Sequence, residues 1–151
     1  MKPNQNSAIG RVVALLNGDI LREFHTADAC VRQAACLAGK DYPVVRRQIA
    51  VCAAAALRNA TALAAEVFAL GGMPIIPSRP KLQGLSASKS IDLYPGTLRR
   101  MLTHYQRRLR MAERLGLFRL REVLGELSAS LREQGRSGEN GRLWLQKLAN
   151  T

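Results

Sequence analysis

The sequence is poor in aromatic and acidic residues. Aromatic side chains make up 5% of its 151 residues, and 11 Asp and Glu stand against 23 Lys and Arg, a formal net charge of +12. Alanine is abundant instead, especially in 50–65, and small residues let helices approach closely. This composition favours a helical bundle over a β-sandwich or barrel. The length fits a single domain, residues 1–151.

The chain also lacks paired cysteines and long apolar runs. Cys30, Cys36 and Cys52 form no Cys-x-x-Cys pair and lie among small apolar residues, which favours buried thiols in a reducing compartment. The N-terminus has no apolar signal core, and no uncharged stretch reaches the ~20 residues that span a bilayer. We therefore expect a cytoplasmic protein with no membrane partner.

Apolar residues recur at steps of three and four, which predicts helices at about 7–38 and 42–70 and a third from about 94. Either Gly116 or Gly125 could end the third helix. A fourth helical region is expected at about 117–149. It could be broken at 135–141, where three glycines each cost about 1 kcal/mol relative to alanine. No alternating strand pattern occurs.

Residues 71–92, rich in proline and glycine, predict a long loop. A helix of 25 residues is ~37 Å long, and 20 extended residues reach up to ~70 Å. The loop can therefore cross the whole length of a bundle. We predict an all-α, four-helix bundle of two antiparallel hairpins joined by this crossover.

Two segments resemble the bacterioferritins among the ferritin-like proteins. Leu15–Glu23, with the sequence LLNGDILRE, is similar to their first helix, and Ala65–Pro74, AEVFALGGMP, is similar to the end of their second. The spacing from glutamate to proline matches without a gap. The resemblance covers about 15–74 and implies a ferritin-like fold. Together with the apolar residues of the predicted loop, it implies a homo-oligomer, at least a dimer. Those loop residues are Ile75, Ile76, Leu82 and Leu85.

In that family, two iron ions are held by a glutamate from each of two helices and a Glu-x-x-His motif from each of the other two. The resemblance places one carboxylate on the first helix and one on the fourth, but no histidine. The third-helix ligand could also fall on Tyr105 if the register shifts by one. The six positions, which we interpret as vestigial, are Glu23, Ala56, Asn59, Gln106, Glu139 and Arg142.

An incomplete ligand set predicts no catalytic residue, no ferroxidase activity and no metal cofactor. Haem is not expected either, because Leu57 stands where bacterioferritins carry a haem-ligating methionine. Glu23 is instead expected to pair with Arg142, or to form hydrogen bonds with Asn59 and Gln106, since a buried charge needs partners. A non-catalytic scaffold or binding protein is the favoured function, and an iron-binding or storage protein with an atypical site is the alternative.

A second alternative is a basic, DNA-associating ferritin-like protein. Arg100, Arg107 and Arg114 recur every seven residues, and Arg121 would continue this stripe if the third helix extended that far. A stripe of this kind can contact a polyanion. Aromatic interleaving and recognition motifs are absent from the sequence, so a solvated basic face, or an interface with acidic residues of a neighbouring subunit, explains the stripe more simply.

Overall fold

Four α-helices build the protein: α1 Pro3–Cys36, α2 Pro43–Ala69, α3 Ala87–Arg114 and α4 Phe118–Ala149. The computed structural model describes residues 3–36, 43–77 and 87–149, and side chains within 6–35, 43, 46–77 and 96–136. The most extensive contacts join α1 to α2 and α3 to α4, and further contacts join α1 to α3 and α2 to α4. The architecture is therefore the predicted bundle of two helix hairpins.

The crossover follows from the helix directions. Along the α1–α3 contact, Thr26 meets Met101, Glu23 meets Tyr105 and Asp19 meets Arg108, so these two helices are antiparallel. Because α1 and α2 also form an antiparallel hairpin, α2 and α3 point the same way. The chain between them must then travel the length of the bundle, as the loop length predicts. Leu82 and Leu85 of this connection lie outside the described residues.

Glycines end α2 and α3 in the same manner. At α2, the Gly72 N–H donates to the Val67 carbonyl and the Gly71 N–H to the Phe68 carbonyl, both at 2.9 Å. Gly71 has φ 77°, and Gly116, which follows α3, has φ 69°. This left-handed geometry suits glycine and turns the chain so that the last helical carbonyls find donors. Gly116, and not Gly125, therefore ends the third helix.

The start of the crossover is fastened to α1 by Asn17. Its Nδ2 donates to the Met73 carbonyl at 3.1 Å, and its Oδ1 accepts the Ile75 N–H at 2.8 Å. The Asn17 amide thus forms the same pair of hydrogen bonds with the backbone of Met73 and Ile75 that a peptide group of a neighbouring strand would form. Gly72 lies so close to α1 that an added Cβ would meet a Val13 methyl at 2.5 Å. The segment after α2 is consequently held against the bundle.

The core runs along the bundle axis and is filled by large aliphatic side chains together with Tyr105. A smaller cluster holds Cys30, Cys52 and Ala53, where both cysteines remain thiols and burial raises the pKa of Cys30 to about 12. Residues Arg46–Ala69 of α2 are long and apolar enough to span a membrane, but half of their most apolar 18-residue stretch is buried in the bundle. This pattern is typical of a core helix.

Three predicted boundaries differ from the structure. The first helix begins at Pro3 instead of about residue 7, and α3 begins at Ala87 instead of about residue 94, inside the segment predicted as loop. Helix α4 continues through 135–141 without a break. Buried Leu131 and Gln134 pack the α4 turn just before Gly135, and packing of this kind offsets the intrinsic cost of glycine.

Candidate functional site

A group of polar side chains lies inside the bundle, and we call it the inner polar layer. It consists of Asp19 and Glu23 from α1, Asn59 from α2, and Tyr105 and Arg108 from α3, all of them buried. Asp19 and Glu23 are one helical turn apart and therefore share a face of α1. Because burying ionisable groups is costly, each must find a partner within the layer.

Glu23 is held by two neutral donors. Asn59 Nδ2 donates to Glu23 Oε1 at 3.0 Å, and the Tyr105 hydroxyl donates to the same oxygen. The predicted hydrogen bond from Asn59 is confirmed. The predicted bond from Gln106 is wrong, because Gln106 is exposed and Tyr105 takes the inward position, the alternative left open by a register shift of one residue. The inward face of α3 is set by Leu98, Met101, Tyr105, Arg108 and Ala112.

The surroundings of Glu23 change its acid strength. Burial raises the pKa of Glu23 to about 7; the hydrogen bonds from Tyr105 and Asn59 lower it, and the nearby Asp19 charge raises it. Burial, and then the charge of Glu23, also raise the pKa of Tyr105, so its hydroxyl keeps its proton and remains a donor. Near neutral pH, Glu23 is therefore divided between its carboxylic acid and carboxylate forms.

Asp19 is held by two cations. Arg108 Nε lies 3.0 Å from Asp19 Oδ2, and Arg22 Nη1 lies 2.8 Å from Oδ1. Burial raises the pKa of Asp19, while the charges of Arg108 and Arg22 lower it. Neither Asp19 nor Arg108 was predicted from the sequence to belong to the layer. Their spacing was a signal, because Asp19 lies four residues before Glu23, which was expected to be buried, and Arg108 lies three residues after Tyr105, the alternative ligand position on α3.

The other predicted ligand positions are also resolved on α2. Ala56 is 1% exposed and lies one turn before Asn59, so it occupies the expected inward position but offers no donor atom. Leu57, next to it, is 46% exposed and points away from the layer. The side chains of Glu139 and Arg142 lie outside the described residues, so both assignments and the pairing of Glu23 with Arg142 stay predictions.

The described side chains of the layer do not fit a pair of iron ions. Glu23 is engaged by Asn59 and Tyr105, Asp19 is neutralised by arginine, and the amide nitrogen that Asn59 presents to Glu23 is not a metal donor. Among the residues that the structure describes, no three His, Cys, Asp or Glu side chains form a group able to hold a metal ion. His25 is exposed and His104 is partly exposed.

The predicted basic stripe lies on the outer face of α3. Arg100, Arg107 and Arg114 are all exposed. The stripe ends there, because α3 stops at Arg114 and Arg121 belongs to α4, where its Nε lies 3.6 Å from Glu113 Oε1. The basic stripe on α3 therefore contains three arginines, and Arg121 does not continue it.

Comparison with solved structures identifies the architecture. The chain superposes on the bacterioferritin of Desulfovibrio desulfuricans, whose di-iron site is known in several catalytic states, with a TM-score of 0.81 over 97% of this chain and 91% of that one, at 18% identity. A ferritin-like, diiron-carboxylate protein from Bacillus anthracis matches with a TM-score of 0.78 over 88% of this chain and 96% of that one, at 17% identity. No protein-family model and no curated protein matches the sequence. Identities this low establish the fold alone: the chain is a ferritin-like four-helix bundle, structurally close to bacterioferritin.

Proposed function

We propose that this ferritin-like protein assembles no di-iron centre and acts as a non-enzymatic scaffold or binding protein. The supporting observation is the inner polar layer, in which the two α1 carboxylates are already engaged by Arg108, Arg22, Asn59 and Tyr105. The carboxylates that a pair of metal ions would need already form hydrogen bonds and ion pairs with other side chains of the protein. They hold the helices together as structural links.

Charge supports the same proposal. Two divalent ions bring four positive charges, which carboxylates at the site must offset. Asp19 and Glu23 supply at most two negative charges, and Arg108 already supplies a positive one at 3.0 Å from Asp19. Asn59 is a neutral amide and Ala56 has no donor. The described part of the layer is therefore close to neutral before any ion enters.

The test is elemental analysis of protein purified without chelator, combined with thermal melts in added Fe²⁺ or Mn²⁺. We expect no near-stoichiometric metal and no rise in Tm, since a ligand that binds the folded state stabilises it. Glu126→Ala, at an exposed site on α4, serves as the control for losing a carboxylate. Near-stoichiometric metal that disappears in Glu23→Ala or Glu139→Ala, but not in the control, would establish the iron-binding alternative instead.

Self-assembly is the second part of the proposal. Val31, Val51 and Leu57 expose 46–60% of their surface on the α1–α2 hairpin. Phe68, Met73, Ile75, Ile76 and Phe118 are exposed at 52–77%. Exposed large apolar side chains of this kind are typical of contact surfaces. We expect at least a homodimer in a reducing, cytoplasmic setting.

Light scattering at tens of micromolar tests the assembly. A dimer or larger species is expected for the native chain, and Val51→Asp/Leu57→Asp should shift it toward monomer because charge is then buried at the contact. The control is Glu122→Lys, which changes an exposed residue of α4. A native chain that scatters as a clean monomer contradicts this part of the proposal.

A polyanion is the second candidate partner, favoured by the exposure of Arg100, Arg107 and Arg114 along one helix. If they contact phosphates, retention of DNA or RNA should weaken steeply as salt rises. Replacing all three by glutamine should flatten that dependence. The matched control replaces three exposed arginines elsewhere, Arg46, Arg47 and Arg132. No retardation at low salt removes this candidate.

A further inference from the structure

A small cavity opens where α1 begins and α3 ends, away from the inner polar layer. Its volume is about 310 Å³, at the lower end of the ~300–1,000 Å³ usual for small-molecule sites. Ala8, Met111 and Leu115 supply apolar lining, and Ser7, Arg11 and Arg114 supply the polar groups. The lining of the cavity thus combines apolar and basic side chains.

The two arginines come from different helices and share the cavity without a counter-charge. Among the described side chains, neither Arg11 nor Arg114 lies within 4.0 Å of a carboxylate. The neighbouring Glu113 is engaged by Arg121 on α4. Two guanidinium groups on one cavity repel each other, and an anion between them would turn that repulsion into attraction.

The adjoining helix ends do not supply that anion. The last carbonyls of α3, those of Met111, Ala112 and Glu113, accept N–H groups from Leu115, Leu117 and Gly116 at 2.9–3.2 Å. Helix α1 begins at Pro3, more than two turns before Arg11, so the partial positive charge of its first turn adds little at the cavity. The positive potential of the cavity therefore comes from the two guanidinium groups.

We propose that this cavity binds a small amphiphilic anion. A carboxylate or phosphate head lies between Arg11 and Arg114, and Ser7 can donate a further hydrogen bond to it. An apolar tail packs on Ala8, Met111 and Leu115. Guanidinium groups suit both head groups because their planar fork matches two acceptor oxygens. The site uses no residue of the inner polar layer, so it does not depend on the absence of a metal centre.

Isothermal titration calorimetry with octanoate and octyl phosphate tests the site, with octylamine and inorganic phosphate as comparison probes. At least one of the two anionic amphiphiles should bind the native protein. Arg11→Gln/Arg114→Gln should weaken it at least tenfold, since hydrogen bonds to charged groups are the strong ones. The matched control is Arg100→Gln/Arg107→Gln, which removes two charges from α3 but leaves the cavity intact; it should bind within about twofold of the native protein.

Four results would overturn the proposal. They are no binding of either amphiphile, equal binding of octylamine, equal binding of inorganic phosphate and octyl phosphate, or unchanged affinity in Arg11→Gln/Arg114→Gln. Circular dichroism checks that this variant folds. If it does not, Arg11→Lys/Arg114→Lys keeps the charge while losing the planar fork, and should bind octanoate or octyl phosphate more weakly than the native protein. Equal affinity in that variant would then count against the proposed head-group site.

Discussion

Asp19 and Glu23 lie one helical turn apart on α1, are each 1% exposed, and yet are accommodated in opposite ways. Asp19 is flanked by the guanidinium groups of Arg108 and Arg22. Glu23 receives hydrogen bonds only from neutral groups among the described side chains, those of Asn59 and Tyr105. Equal burial on the same helix thus leads to two different electrostatic solutions.

Either arrangement lets a helical bundle keep a carboxyl group in its core. A cation beside a carboxylate opposes the effect of burial on its pKa. At Asp19, burial raises the pKa, and the charges of Arg108 and Arg22 lower it. Neutral donors oppose it less, and the pKa of Glu23 reaches about 7. In the first case the charge is balanced by an arginine, and in the second it can be removed by a proton.

The largest effect is expected from removing the buried cation. Arg108→Met should lower the free energy of unfolding by about 3–5 kcal/mol, because among the described side chains Asp19 then keeps only the partly exposed Arg22 as an ion-pair partner. Urea unfolding at pH 7 measures the change. Arg107→Met, next in sequence but exposed, is the control and should change stability by less than about 0.5 kcal/mol. A loss below about 1 kcal/mol in Arg108→Met would mean that Arg22 alone satisfies Asp19.

Much of the fold could be predicted from the sequence because periodicity and glycine report local structure directly. The end of α2 lies within one residue of its predicted position, since Gly71 and Gly72 provide the turn that stops it. The break considered possible in the fourth helix does not occur, for the opposite reason. The cost of Gly135 is local, whereas the packing of Leu131 and Gln134 that offsets it depends on neighbouring helices.

The inward positions of the layer were predictable where the resemblance was strong. Glu23, Ala56 and Asn59 lie within the matched segment, and all three are buried on the inner face. On α3, outside that segment, one residue of register separates buried Tyr105 from exposed Gln106. Arg108 was missed because an arginine in an arginine-rich helix is usually exposed. The spacing of Arg108 from Tyr105 was the one sequence feature that indicated burial. The pairing of Arg108 with Asp19 needs the three-dimensional fold.

The second prediction concerns the pH dependence caused by Glu23. Its pKa rises from 4.5 to about 7 on folding, so the folded state binds the proton more tightly. The resulting stability is fully present below about pH 4.5 and is lost as pH rises through 7, by ~3 kcal/mol in total. Glu23→Gln cannot ionise and should lack this loss.

Unfolding free energies of the native chain and Glu23→Gln at pH 5 and pH 8 test it, since contributions from other groups cancel in the difference. From pH 5 to pH 8, the unfolding free energy of Glu23→Gln should rise by about 2–3 kcal/mol relative to that of the native chain. Glu126→Gln, at an exposed carboxylate, should show no such gain. Parallel pH curves for the native chain and Glu23→Gln would mean that Glu23 does not titrate in this range.

The third prediction removes one neutral donor. Tyr105→Phe keeps the ring in the core but deletes the hydroxyl that donates to Glu23, and should cost about 1–2 kcal/mol at pH 8. Because that hydrogen bond lowers the pKa of Glu23, its loss should move the pKa above 7. The stability curve of Tyr105→Phe should therefore bend at a higher pH than that of the native chain. A bend at unchanged pH would contradict the assigned hydrogen bond.

The smallest effect separates the two cations beside Asp19. The Arg22 side chain is 44% exposed, against 10% for Arg108, so water and salt screen its charge far more. Arg22→Gln should cost no more than about 1 kcal/mol in low salt, as is usual for exposed ion pairs, and close to nothing in 1 M NaCl. The Arg108→Met loss should persist in the same salt, because the Arg108–Asp19 pair is shielded from it. Urea unfolding of both variants at the two salt concentrations makes the comparison. A loss in Arg22→Gln that is large and independent of salt would show that Asp19 depends on both arginines equally, and the contrast between buried and exposed partners would then fail at this site.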